Sequence, residues 1–168
     1  KQLFVHSAHA QNFVSDFFNL GISLRRLGDF NEAKNIFQPT LAVANAHRIN
    51  NLTPEIHLEL GLVLKRLGQQ DSAFHSFSEA EKGFDQIGKS YDKWKVYANI
   101  ARIYMDSEDY INGHPQTLVR IEEFLEKAWA IVEPEGKRMD EGFLLFTICN
   151  FYFTLENFEK FAHYSQKW

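Results

Sequence analysis

The sequence predicts an all-α chain built from antiparallel helix pairs laid side by side. Three observations carry that expectation. No stretch of useful length alternates apolar and polar residues as a half-buried strand does. One helix–turn–helix pattern, met first over residues 17–40 (FFNLGISLRRLGDFNEAKNIFQPT), returns three more times along the 168 residues. The copies are also regularly spaced: Gly21 to Gly61 is 40 residues, Gly61 to Ala101 is 40 again, and Ala101 to Cys149 is 48.

In the first copy, Leu20, Gly21 and Leu24 set a small residue between apolar ones on one helical face. Gly28-Asp29-Phe30 breaks that helix and opens the next, whose Ala33 and Phe37 share a face. A glycine inside a helix costs about 1 kcal/mol relative to alanine, so Gly21 implies a packing reason: close approach of the paired helix. His57–Gly68 repeats the first helix and Ala73, Phe77 and Ala80 the second. A third copy has Ala101 in the small slot, its turn at 108–110 and a second helix ending at Ala128-Trp129; its eight extra residues fall around 111–115 (INGHP), where Asn-Gly and His-Pro are loop signals. The fourth, degenerate copy has Cys149 in the small slot and its turn at 156–158. Helices are thus expected at 13–27, 31–49, 54–67, 71–87, 91–106, 116–132, 138–155 and 157–167, with Thr53 as N-cap and Pro54 at the first helical position. Residues 1–12 align on the period with 41–52. Two readings stay open for them: the tail of a preceding second helix, or an early start to the first.

On these residues the chain resembles the tetratricopeptide repeat, in its longer variety of roughly 40 residues per copy rather than 34. Leu20, Gly21, Leu24, Gly28, Phe30, Ala33 and Phe37 match in the first copy, and Leu60, Gly61, Leu64, Gly68, Ala73, Phe77 and Ala80 in the second. Ile100, Ala101, Tyr104, Tyr110 and Ala128 match in the third, with Pro134 closing it. The resemblance implies one domain of four repeats (14–49, 54–87, 92–132 and 138–168) forming a right-handed superhelical solenoid, each repeat touching its neighbours. It also implies that the first helix of each pair lines a concave groove. Carried over position by position, the groove residues are Phe18, Ile22, Arg25 and Arg26; Leu58, Leu62, Lys65 and Arg66; Arg102; and Phe146, Asn150 and Phe153.

Arg25-Arg26 and Lys65-Arg66 recur at one place in the repeat. Two readings stand side by side for them: cations complementing the end of a helix dipole, and a locally positive groove for carboxylates. Phe146 and Phe153 are either exposed apolar anchors or core buried against a further helix. The carboxylate clamp that some members of the family use on chaperone tails is absent. Its Asn and Lys positions hold Ile22 and Phe18 in the first copy, and Leu62 and Leu58 in the second.

Composition excludes several classes. With 45% apolar residues and 16 Phe the chain carries enough apolar bulk for a core. A net charge of −4 gives no basic footprint for nucleic acid. No apolar run reaches membrane-spanning length and no signal peptide is visible, so a cytoplasmic location is expected. The chain starts at Lys1 rather than Met and stops inside an expected helix, which reads as a piece of a larger protein. The lone Cys149 forms no intrachain disulfide and reads as a packed thiol. His6 and His9 would share a helical face but no third metal ligand lies nearby, Glu122, Glu123 and Glu126 read as a solvated face, and no phosphate loop or nucleophile motif is present. The expectation is a non-catalytic protein-interaction module with no cofactor, binding a partner segment carrying acidic and apolar residues. Self-association through the solenoid ends is a further possibility. The alternative from a different class is a regulatory domain that senses a peptide or small molecule.

Overall fold

The computed structural model describes residues 2–136 and 138–167, with side chains at all of these except 2–8 and 138. The fold is all-helical. Helices α1 (Gln2–Leu27), α2 (Phe30–Ala46), α3 (Thr53–Arg66), α4 (Gln70–Gln86), α5 (Lys93–Met105), α6 (Glu108–Ile111), α7 (Pro115–Val132), α8 (Arg138–Thr154) and α9 (Phe158–Ser165) follow one another along the chain. The chain divides into two compact units, Lys1–Ser90 and Tyr91–Trp168. In the first, α1 packs on α2, α3 on α4, and α2 on α3. In the second, α5 packs on α7, α7 on α8, and α8 on α9.

The helix ends follow from local chemistry. Gly28 stops α1 because it alone takes φ +90° without strain. From there its N–H bonds the Arg25 carbonyl at 3.1 Å, and the Asp29 N–H bonds that of Leu24 at 3.0 Å. Gly68 ends α3 the same way at φ +72°, with bonds of 3.1 and 2.9 Å back to Lys65 and Leu64.

The structure decides one open reading and changes one expectation. α1 begins near the chain start, so the early-start reading holds; no Gly or Pro before Gly21 interrupts it. Thr53 is not an N-cap but the first residue of α3, and its hydroxyl donates back to the Ile49 carbonyl at 2.9 Å. The N–H it would have capped, that of Ile56, is already bonded to the Leu52 carbonyl at 2.9 Å. The turn expected at 108–110 winds into the one-turn α6, with Ser107 Oγ accepting from the Tyr110 N–H at 3.3 Å, while Asn112, Gly113 and His114 form the expected loop before α7.

The core of the first unit centres on Phe37, Phe77, Phe84, Ile56, Val63 and Val14, all fully buried. Gly21 and Gly61 explain themselves there. A Cβ at Gly21 would lie 2.5 Å from the Phe37 ring, and one at Gly61 would lie 2.6 Å from the Phe77 ring. The paired helix does approach at each glycine, with a phenyl ring against it. In the second unit, Trp94, Tyr97, Ala101, Leu125, Trp129, Leu144, Ile148, Phe151 and Tyr152 form one buried cluster.

Candidate partner-binding surfaces

In the first unit the predicted residues divide by exposure. Phe18 and Ile22 on α1 are half-buried, and the Phe18 ring packs 6.2 Å from that of Phe37. Leu58 is buried in the core and presents no surface to a partner; Leu62, four residues on, is half-buried. Of the four cations, Arg25 is engaged within the unit: its Nε donates to Glu59 Oε2 at 2.5 Å, joining α1 to α3. Lys65 is half-buried. Arg26 and Arg66 are exposed and form no ion pair with the described residues, so they carry the positive charge this surface offers.

Two clefts of the first unit contain none of the predicted residues. One, of about 530 Å³, lies between α2, α3 and α4 and includes Lys34, His57, Leu60, Leu64, Asp71 and His75. The other, of about 250 Å³, has His57 and Glu79 in its wall beside Pro54 and Lys82. Burial lowers the His57 pKa, against the attraction of Glu79 and with a further push from His75, so this imidazole is neutral at pH 7. Lys34, Gln38 and Leu41 fall at helical spacing on α2, which is the pattern that would have pointed to the larger cleft.

In the second unit the Arg102 guanidinium lies over the Phe143 ring, 5.7 Å from its centroid. Phe146, Asn150 and Phe153 on α8 are all exposed among the described residues. These three residues do come together. With Cys149, Phe161 and Ser165 they line a cleft of about 380 Å³ between α8 and α9. The Phe153 ring stands 5.7 Å from Phe161 and 6.5 Å from Phe158. Burial raises the Cys149 thiol pKa, which keeps the sulfur protonated and a poor nucleophile, as its packed-thiol reading requires.

Behind this surface α7 is tied to α8 and α9 through Glu122. Its carboxylate accepts from the Tyr152 hydroxyl at 2.8 Å and from the Lys160 ammonium. Burial opposes ionisation of Glu122, but those two hydrogen bonds and the Lys160 charge hold its pKa below the usual carboxylate value. The same contact raises Lys160, and burial together with the Glu122 bond raises Tyr152. In place of the solvated face expected for it, Glu122 is a joint between helices. His6, half of the candidate metal pair, has its side chain outside the described residues. Among the described residues no group of three or more His, Cys, Asp or Glu side chains could hold a metal. Nor is any helix there long and apolar enough to cross a membrane.

The fold and these surfaces define an all-helical protein of packed helix hairpins. No family model matches the chain, and no curated protein matches it either. Among solved structures it is similar to BtubC (BKLC) from P. vanneervenii, with a TM-score of 0.75 at 18% identity over 92% of this chain. The chain spans 61% of the length of that protein. At that identity the likeness is one of fold.

Proposed function

We propose that the chain is a tetratricopeptide-like helical solenoid of four repeats that works as a non-catalytic protein-interaction module. The observation that carries this reading is the repeated lock of a ring on a small residue. Gly21 with Phe37 and Gly61 with Phe77 make the same contact at the same offset of sixteen residues, forty residues apart along the chain. A hairpin closed by its own internal contact can be stacked, and stacked hairpins offer a long surface rather than a pocket. The exposed Arg26 and Arg66, each in the last turn of the first helix of its pair, are the positions for carboxylates of a partner segment. Recognition by these two exposed cations, in place of Arg25, follows from the engagement of Arg25 by Glu59.

The sensing alternative requires a cavity that closes over a small molecule. The cleft between α8 and α9 is walled by Phe146 and Phe153, both more than half exposed, which favours a side chain or a segment over an enclosed metabolite.

The test is capture of partners from source lysate on the immobilised chain, read by mass spectrometry. Wild type is compared with the folded double variant Arg26→Glu, Arg66→Glu. The expected result is a partner segment rich in Asp or Glu that binds wild type and binds the variant at least about tenfold more weakly, a change worth about 1.4 kcal/mol. Partners captured equally by both would remove the arginines from the interface.

A further inference from the structure

The two clefts of the first unit are consecutive stretches of one furrow. Both have His57 in their wall. On α2 the lining passes from Lys34, Gln38 and Leu41 in the larger cleft to Asn45 in the smaller, at i, i+4, i+7 and i+11. On α4 it passes from Asp71 and His75 to Glu79, Lys82 and Gln86, again one helical face. Between these walls α3 supplies a floor of Pro54, His57, Leu60 and Leu64, spaced three or four residues apart. From Asp71 to Gln86 the furrow runs about 23 Å at the α-helical rise.

Its charges are spent within the walls. Lys34 and Lys82 balance Asp71 and Glu79. The Lys82 ammonium donates to Glu79 Oε1 at 2.8 Å and the Lys34 ammonium to Gln69 Oε1 at 3.1 Å, while Asp71 complements the first turn of α4. An anion such as phosphate meets no arginine here, and no lysine without a partner. Among the described residues no phenyl, phenol or indole ring lines either cleft, so a nucleobase has nothing to stack on. What remains is a row of amides over an aliphatic floor. Gln38, Asn45, Asn50 and Gln86 make no side-chain hydrogen bond among the described residues. The His57 ring between the two clefts is neutral, and its buried Nδ1 also has no partner. An amide and a neutral imidazole each both donate and accept. The ligand that matches such a row is an extended main chain, which alternates N–H and C=O and carries no charge. About seven residues of it, at 3.3 Å each, would fill the furrow. Leu41, Leu60 and Leu64 offer its side chains an apolar floor.

We propose that this furrow docks an extended, uncharged peptide segment of a partner protein, its main chain read by the amides along the walls and by His57, with an aliphatic side chain resting on Leu60 and Leu64. The site is distinct from the arginine surface, since neither Arg26 nor Arg66 lines it. Either reading can fail while the other stands.

The probe is a displayed library of random heptapeptides selected on the full chain. Enriched peptides are then synthesised and their binding measured by fluorescence anisotropy at low and high salt. Two variants each close one half of the furrow from an exposed position: Ser72→Trp the larger cleft, Asn45→Trp the smaller. Thermal melts check that they fold, and either folded variant suffices; Arg26→Glu is the control. The enriched peptides should carry an aliphatic residue and no net charge, and their affinity should change by less than about twofold with salt. Binding should weaken at least about tenfold in a folded furrow variant and stay level in Arg26→Glu. In the NMR spectrum the side-chain amide signals of Gln38 and Asn45 should move as peptide is added. A library that yields nothing above the bare support overturns the proposal. So does unchanged affinity in a folded furrow variant. Enrichment of acidic peptides alone, weakened by salt and by Arg26→Glu, overturns it too and supports the arginine surface instead.

Discussion

At Gly21 a single methyl decides whether α1 can lie on α2. Phe37 is fully buried and its ring has nowhere to retreat, so Gly21→Ala and Gly61→Ala should each overpack the hairpin. Overpacking costs about 1–3 kcal/mol, and the better helix propensity of alanine returns at most about 1 kcal/mol. The net loss should lower Tm by a few degrees in a thermal melt, whereas Gly142→Ala, which meets nothing within 4 Å, should leave Tm level or raise it. Glu122 gives a second residue-level expectation. Glu122→Ala strands the Tyr152 hydroxyl, buried at the end of its 2.8 Å bond, and frees Lys160. A stranded buried donor costs about 1–3 kcal/mol, and denaturant unfolding followed by aromatic fluorescence should register it. Tyr152→Phe removes donor and demand together and should cost less.

The helices show what was legible in the chain and what was not. The all-helical class, the helix turns and the small slots are readable because each rests on a local rule: a glycine that stops a helix, a small residue set between apolar ones on one helical face. The partner of Arg25 is not legible for a different reason. Its partner Glu59 lies 34 residues away, and no local pattern reports a side chain across a hairpin boundary. Leu58 went astray because its neighbour Glu59 is the half-exposed one, a one-residue difference in face that periodicity does not resolve. On the second unit Phe146, Asn150 and Phe153 do share a cleft, yet the rest of its wall, Phe161 and Ser165, comes from α9. The sixteen-residue offset that reaches Ser165 is visible in the sequence once Phe37 and Phe77 have shown what it means. In the third copy the turn residue Tyr110 reaches further than its local role, with its ring 6.3 Å from Phe151.

For the whole molecule, the two units should respond to acid in different pH windows. In the first, burial sets the folded His57 pKa below its ordinary value of 6.5. Its contribution is complete above that value and is lost as pH falls through the lower folded value, because the unfolded chain takes up the proton first. In the second, Glu122 is held below 4.5, so its share persists to that pH and is lost only below it. Hydrogen exchange converted to opening free energies should therefore show Lys1–Ser90 weakening as pH falls below the ordinary histidine value of 6.5, with Tyr91–Trp168 following only below the ordinary carboxylate value of 4.5. Equal weakening of both units at the higher pH would remove His57 from that account. The glycine–ring lock has one more consequence, in the history of such a chain rather than its chemistry. Because the contact closes within a single hairpin, copying forty codons copies a finished part that fits without any change to its neighbours. A change confined to one copy, such as a serine at 165 where the first two copies have phenylalanine, can then alter one surface while the other hairpins keep their own closure.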